Sequence, residues 1–402
     1  MPPALFALAL ASFGIGTGEF VIMGILPQIA HDLGATIPQA GSLVSAYAMT
    51  VTFAGPFVAV LAARLPQKAA LLGLLSLFLF GNLFCALAPG FSFLFLARIF
   101  TALAHAAFYG NGVVVAAGLV PPHRRTQAIA LMFSGMTLAN IIGVPAGTLI
   151  GVAYGWRATF WTITPFLAIA WIALAVFLKP SRQERSAGGF FREFVVLRRP
   201  QVLLTLIASV FVSASLFIIL TYIAPLLSNV THMDEAQISS ALLLFGAGTF
   251  VGTFLGGRLA DWRQTTTIVG AFLALAVVYV LFAFADHSIP TAFVTMFFLG
   301  AISFANGPGM QARVIDKAHE APNIGASLIH SSYNFGNGAG AWLGGGAIAA
   351  GLGYADLPWL SMVLIIVALM TIGIAHAQDQ AAKNMSLPKL ESDAPSQQDR
   401  AA

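Results

Sequence analysis

The chain has 402 residues, 58% of them hydrophobic and 8% charged, with a mean hydropathy of +0.86. Soluble domains carry about 25% charged residues, so a water-facing surface cannot be covered and the composition excludes every class but an integral membrane protein. The formal net charge of +4 invites a nucleic-acid or anionic partner, but the placement of the basic residues gives it a different origin.

A bilayer-crossing helix needs about 20 apolar residues. Runs that satisfy this lie near 5–29, 39–62, 69–88, 91–119, 126–153, 158–178, 202–226, 237–260, 267–285, 291–312, 322–350 and 357–376, which predicts twelve transmembrane helices. The start, Met1-Pro2-Pro3-Ala4, has no basic n-region and the first run is too long for a signal-peptide core, so it is expected to remain as the first helix. Cys85 is the single cysteine and excludes an internal disulfide. Connections are short except for a polar stretch from Lys179 to Gln201. The segment after His376, rich in Ala, Gln, Asp, Ser and Lys without apolar period, reads as a disordered tail.

Basic residues set the orientation. With the amino terminus in the cytoplasm, all but two of the 19 Lys and Arg fall on the inner side or in the tail. The exceptions are Arg157, in an outer loop, and Arg98, inside a span. Asp32, Asp234, Glu235, Asp286 and Asp356 gather on the outer side. Both termini are therefore expected in the cytoplasm. The basic balance is topological, and no nucleic-acid partner is expected.

An internal repeat runs through the chain. Pro27 and Pro225 end the first and seventh predicted spans and lie 198 positions apart. At the same spacing Gln39 meets Gln237, Ser42 meets Ser240, Leu61-Ala62 meets Leu259-Ala260, Ser134 meets Ser332, Gly147 meets Gly345 and Gly155 meets Gly353. One gap-free offset over five spans points to two six-helix halves, 1–179 and 202–376, joined by a cytoplasmic linker at 180–201 and followed by the tail at 377–402. Paired halves with a midplane substrate site between them are the plan of one large transporter class.

Several stretches resemble the major facilitator superfamily, and within it the bacterial sugar and drug efflux permeases. They are Gly16-Thr17-Gly18-Glu19-Phe20 with Leu26-Pro27 and Ala40-Gly41-Ser42; Ala97-Arg98 with Ala104-His105-Ala106; Gly143-Val144-Pro145-Ala146-Gly147; Gly155-Trp156-Arg157; and Gly257-Arg258-Leu259-Ala260-Asp261-Trp262-Arg263. The resemblance covers about residues 5 to 376. It implies an all-α fold of twelve transmembrane helices in two pseudo-symmetric halves, seated in a bacterial inner membrane. It also implies alternating access, a small-molecule substrate exchanged against protons, no cofactor beyond the proton gradient, and a monomer. Gly257, Asp261 and Arg263 would form the family's conformational latch on the inner side. Two features depart from the family pattern: Ala63 stands where the first half's loop has an acid, and Gly-Val-Pro replaces Gly-Pro in the fifth helix.

Glu19 is the one acid deep inside a predicted span. A carboxylate there costs roughly 2.5–3.5 kcal/mol on insertion scales. At 1.5 Å per residue it lies about 15 Å from the outer surface, between Arg98 at about 10 Å and His105 at about 21 Å. The latter two, seven residues apart, share one helix face. Burial favours a neutral carboxyl and a nearby cation favours the ionised one, so a site with both influences can load and release a proton. Glu19 is the expected proton carrier, with Arg98 and His105 tuning it; the bland alternative is a static pair that orients two helices. The second half has no buried acid. There His330, Asn334 and Asn337 form one stripe of the eleventh helix, Asn306 and Tyr222 lie on the tenth and seventh, and Tyr47, Asn111 and Asn140 are candidates from the first half. Uncharged donors and acceptors of this kind suit a neutral polyol, nucleoside or moderately polar drug, against the alternative of interhelical hydrogen bonds. The glycines after Asn334 form no dinucleotide loop, because no strand precedes them.

The function expected is therefore proton-coupled efflux. Proton-coupled uptake with the same machinery is the alternative. An intramembrane enzyme using Glu19 and His105 is remote, since no nucleophile motif, metal-ligand cluster or ATP-binding loop is present.

Overall fold

The computed structural model describes residues 1–62, 64–179, 198–285, 288–318 and 322–386. Ala63 and most of the expected linker lie outside these residues. Every regular element among them is a helix. In the first half, α1 (Pro3–Phe20) and α2 (Ile22–Asp32) are followed by α3 (Ile37–Ala62), α4 (Gln67–Ala86) and α5 (Phe91–Gly118). Then come α6 (Arg125–Leu138), a π-helical turn (Ala139–Gly143), α7 (Val144–Tyr154) and α8 (Trp156–Phe177). The second half holds α9 (Pro200–Leu220), α10 (Ile223–Asn229), α11 (Glu235–Ala285), α12 (Ile289–Ala305), α13 (Gly307–Lys317), α14 (Pro322–Ala349) and α15 (Leu357–Ser386).

Among the described residues nine stretches are long and apolar enough to cross a bilayer. One of them is α11, which turns non-helical only at Arg263 (φ −145°, ψ 82°) and so supplies two crossing lengths. With α3 and α14, of 26 and 28 residues, the helices accommodate the twelve expected crossings. A loop was expected between 260 and 267. The chain there contains neither Gly nor Pro, and a single residue makes the turn between the two lengths.

Two further differences from the sequence reading have physical causes. Pro27 and Pro225 do not end their spans but sit inside α2 and α10, which run on to Asp32 and Asn229; the breaks fall earlier, at Val21 and at Thr221-Tyr222. Pro225 occupies the first turn of α10, where no backbone N–H is needed. At the other end of the chain, disorder was expected from residue 377, yet α15 continues to Ser386. Ala and Gln are good helix formers, and Asp379 anchors this extension: it accepts hydrogen bonds from Arg313 (2.7 Å) and Lys317 (2.6 Å). Gln201 adds a bond to Gln378 (3.1 Å).

Within the first half α1 packs on α6 and α8, and α5 on α3 and α4; within the second, α9 packs on α14 and α15, and α11 on α12 and α15. The halves meet where α3 runs along α14, where α7 and the π turn face α11, and where α2 meets α10. Phe284, Trp342 and Val176 are exposed, as expected of side chains whose solvent is lipid. Gly155 (φ 87°) makes the tight corner between α7 and α8, a conformation that disfavours any residue with a Cβ.

Candidate functional site

The break between α1 and α2 builds the site. Helix ends leave backbone carbonyls without intrahelical partners. Arg98 of α5 reaches two such groups, donating from Nη1 to the Gly18 carbonyl (2.6 Å) and from Nη2 to the Glu19 carbonyl (3.1 Å). Its guanidinium also lies 4.1 Å from the centre of the Tyr47 ring, a cation–π contact. Arg98 is 1% exposed and Glu19 7%. The arginine thus clamps the backbone at Glu19 rather than its carboxylate.

The carboxylate faces His105, two turns along α5 from Arg98. His105 Nδ1 stands 3.7 Å from Glu19 Oε2 and 2.9 Å from the Tyr47 hydroxyl. Glu19 Oε2 is buried and has no hydrogen-bond partner among the described residues. A separation of 3.7 Å is too long for a hydrogen bond; a shift of less than about 1 Å would make one. One imidazole nitrogen therefore addresses both a phenol and a carboxyl whose outer oxygen is free, and this is an arrangement that can accept and pass on a proton. Tyr47, expected in the substrate cavity, belongs to this cluster instead and is 1% exposed.

Other candidates are placed differently from expectation. Tyr222 is fully buried and donates to the Ala341 carbonyl (2.8 Å). It fills space that only glycine leaves, since a methyl group at Gly41 would overlap its hydroxyl. Asn337 is paired with Ser213 across α14 and α9, and Asn306, 2% exposed, donates back to the Ser303 carbonyl (2.6 Å). Tyr222 and Asn337 hold helices together rather than face open space, because close helix approach consumed polar groups that periodicity alone could not orient; Asn306 bonds only within its own turn and its buried Oδ1 has no partner among the described residues. Asn111 is part-buried and bonds to the Ala107 carbonyl (2.8 Å). Asn140 is part-buried in the π turn, where its backbone is met closely by Gly246 of α11. Of the last two candidates, His330 is exposed, and Asn334, one turn on, is part-buried, donating to the His330 carbonyl (3.1 Å) while its buried Oδ1 lacks a partner among the described residues.

The expected latch of Asp261 with Arg263 is not formed in this structure. Asp261 is exposed, Arg263 stacks 5.0 Å from the Trp262 ring centre, and Gly257 lies beside Pro308. The charged contact at that end is Asp379 with Arg313 and Lys317. At the opposite end Asp32 accepts from Trp156 Nε1 (2.8 Å) and from Arg157, which also donates to the Ala88 carbonyl (2.7 Å). The Arg157 and Trp156 bonds hold the Asp32 carboxyl below its ordinary range. Beside this cluster lies a cavity of 530 Å³ bounded by Gln28, His31, Asp32, Tyr154 and Glu235. There Gln28 donates to Glu235 across the two halves (3.2 Å); away from this cavity, beside Glu19, the Phe20 and Phe217 rings of the two halves meet at 6.3 Å.

Sequence reasoning missed Tyr109 and Phe133. The Tyr109 ring lies 5.1 Å from His105 and stacks on Phe133 at 5.5 Å, and its hydroxyl bonds the Ser12 carbonyl (3.3 Å). Tyr109 continues the Arg98–His105 stripe by one more turn, a spacing visible in the chain; Phe133 carried no polar signal. Among the described residues no group of His, Cys, Asp and Glu is arranged to hold a metal.

A family model described as Major Facilitator Superfamily matches residues 8–341. The inner membrane transport protein YdhP of Escherichia coli K12 is 40% identical over 368 residues, covering 92% of this chain and 94% of that protein. A chloramphenicol resistance protein of Streptomyces lividans is 35% identical over 375 residues, covering 92% and 95%. Among solved structures, the fold is shared with a bacterial homologue of the human lysosomal transporter Spinster in an inward-facing, occupied conformation. The TM-score is 0.75 at 17% identity, over 93% of this chain and 96% of that one.

Proposed function

This chain belongs to the major facilitator superfamily, a family of transporters rather than enzymes, and on that premise we propose that it exports a small neutral or moderately polar molecule in exchange for protons. The relatives include one named for drug resistance, which supports export over uptake. The protein is a multi-pass membrane protein. The basic-residue asymmetry supports an orientation with both termini in the cytoplasm and the Asp32 end outside, in the inner membrane of a bacterium.

The observation that carries proton coupling is the free, buried Oε2 of Glu19, 3.7 Å from His105. In this reading Glu19 binds the proton and His105 and Tyr47 relay it, while Arg98 fixes the backbone that presents it. The neighbouring residue, Phe20, touches Phe217 of the other half. When the halves rock apart at that end, the chain next to Glu19 loses a contact and its carboxyl gains access to the outer water. When they close, access passes to the other side. No cofactor takes part; the proton gradient drives the cycle, and one chain suffices for it.

The test is Glu19→Gln in proteoliposomes loaded with a candidate substrate. Wild type should move substrate against its gradient when a pH gradient is imposed, and the variant should only equilibrate it. Gradient-driven accumulation by the variant at the wild-type level would sink the proposal. The gradient sign that drives net flux distinguishes antiport from symport.

A further inference from the structure

The first crossing length of α11 ends on an exposed stripe that the transport reading leaves unused. Phe250, Phe254, Arg258 and Trp262 recur every fourth residue and so share one face of the helix. All four are exposed, as are the neighbouring Leu255 and Leu259. Apolar side chains exposed along a spanning helix meet hydrocarbon, and a tryptophan 75% exposed where the run ends stands as aromatic residues do at a bilayer interface. The next residue, Arg263, is where α11 leaves helical geometry. The stripe therefore reaches the headgroup layer at the turn.

Two cations wait there. The Arg258 guanidinium lies 4.3 Å from the centre of the Phe254 ring, and that of Arg263 lies 5.0 Å from the centre of the Trp262 ring. Each ring holds a flat cation by its face and leaves its edge, with five N–H donors, free. Among the described residues neither guanidinium makes a hydrogen bond or an ion pair. Arg313 and Lys317, on the same side of the membrane, are by contrast taken up by Asp379. Asp261 is exposed and pairs with neither arginine, so the turn carries two guanidinium groups against one carboxylate. At the repeat spacing Arg258 and Arg263 correspond to Val60 and Leu65, so the scaffold does not require them. A cation partly withdrawn from water needs an acceptor. In a headgroup layer the acceptor at hand is phosphate, which a planar guanidinium binds through two parallel N–H···O bonds.

We propose that Arg258 and Arg263 hold the headgroup of an anionic phospholipid of the inner leaflet, with its phosphate between the two guanidinium groups and its acyl chains along Phe250, Phe254 and Leu255. The cytoplasmic leaflet, to which the basic-residue asymmetry assigns this end, is the one whose negative surface draws such arginines. A lipid bound there would brace the turn of α11. The assignment goes beyond the transport reading and is independent of substrate and proton.

Native mass spectrometry of the whole protein in detergent, titrated with phosphatidylglycerol or with phosphatidylcholine of the same acyl chains, tests it. The first phosphatidylglycerol should bind about three- to tenfold tighter than phosphatidylcholine. Arg258→Gln and Arg263→Gln should each weaken it about fivefold, and the double variant should erase the preference. Arg258→Lys keeps the charge without the planar fork and should fall between. Phe254→Leu, at an exposed position, removes the ring that holds Arg258 and should cost about threefold. Arg124→Gln combined with Arg125→Gln removes two exposed arginines of the same membrane side and should leave the preference within about twofold of wild type. Equal binding of the two lipids, or a preference that survives loss of both Arg258 and Arg263, would overturn the site. An equal loss on removing Arg124 and Arg125 would reduce it to general charge attraction. Excess sn-glycerol 3-phosphate should not displace the lipid; displacement would give the site to a soluble phosphate and overturn the lipid assignment.

Discussion

The two halves are built on one scaffold and differ in where they bury charge. At the 198-residue spacing, α3, α5 and the start of α1 superimpose in register on α11, α12 and α9 to within a residue at their first positions. Yet Glu19 corresponds to Phe217, Arg98 to Met296, His105 to Ser303 and Tyr47 to Phe245. The second-half set closes the same corner with uncharged groups: Met296 is fully buried, Phe217 is 5% exposed, and Ser303 is the one polar member. A break in the first helix of each half is therefore compatible with an uncharged interior. The acid, the arginine and the histidine are not what the architecture requires, and their presence at a cost of desolvation points to use. The second half has its own buried cation, Arg313, at the far end, where the first half has Val115. There the partners are Asp379, Gln201 and Thr205, every one of them a hydrogen-bond acceptor already in place. One half keeps an acid whose outer oxygen is unsatisfied; the other satisfies its charge fully.

The largest effect that could break this contrast is on coupling. Glu19→Gln should reduce gradient-driven transport to the level seen without a gradient, whereas Phe217→Leu at the corresponding place should retain at least about half of the driven rate, since it removes packing of modest size. Equal losses in the two variants would mean that the position serves the hinge and not the proton. Next in size is Asp379→Asn. It leaves Arg313 buried with neutral partners only, and should lower stability by about 1–3 kcal/mol, read as a fall of several degrees in the apparent melting temperature in detergent. Coupling should persist, because this pair holds a helix extension and carries no exchangeable proton in the cycle. A loss of driven transport with an unchanged melting temperature would contradict that division of roles.

The fold was legible from hydropathy, because apolar length decides which segments cross a bilayer, and most observed helix starts fall within two residues of the expected ones. What the pattern could not supply was direction around each helix. Nearly every face of an apolar helix is apolar, so Tyr222, Asn337 and Asn306 could be assigned to helices but not to a cavity or a helix contact. Tyr47 was read as cavity-lining for the same reason; only the position of α5 against α3 reveals that its ring covers Arg98 and its hydroxyl meets His105. Glu19, Arg98 and His105 were legible because charge inside a span is rare enough to stand alone. Even there the sequence could not distinguish a bond to the carboxylate from one to the carbonyl. The helix beyond His376 was missed because its anchor, Arg313, lies in a different element.

Smaller effects sharpen the same distinction. Tyr222→Phe removes the hydroxyl that bonds the Ala341 carbonyl and keeps the ring between Gly41 and Gly345. A loss of about 1 kcal/mol in stability is expected, with the affinity for any transported molecule unchanged. A tenfold change in affinity would return Tyr222 to the substrate cavity.

Asp32 and Arg157 provide the mildest case. Their counterparts at the repeat spacing are Val230 and Ala355, so this pair too is confined to one half, but its side chains are 48% and 37% exposed. Water and salt screen such a pair, and it is worth about 0–1 kcal/mol. Its pH dependence has a definite sign. The hydrogen bonds from Arg157 and Trp156 lower the folded-state pKa of Asp32, so the contribution is complete above the ordinary aspartate value of about 3.9 and is lost as pH falls through the lowered one. Asp32→Asn should therefore cost a few tenths of a kcal/mol at pH 7, and the gap between variant and wild type should close in acid below that range. A gap that stays constant into acid would assign the stabilisation to the hydrogen-bond geometry of Trp156 and Arg157 rather than to charge. A gap of several kcal/mol at pH 7 would show that exposure does not weaken this pair. The contrast drawn between Glu19, buried and unpaired, and Asp32, exposed and paired, would then lose its basis, since it rests on burial deciding which carboxylate in the first half is consequential.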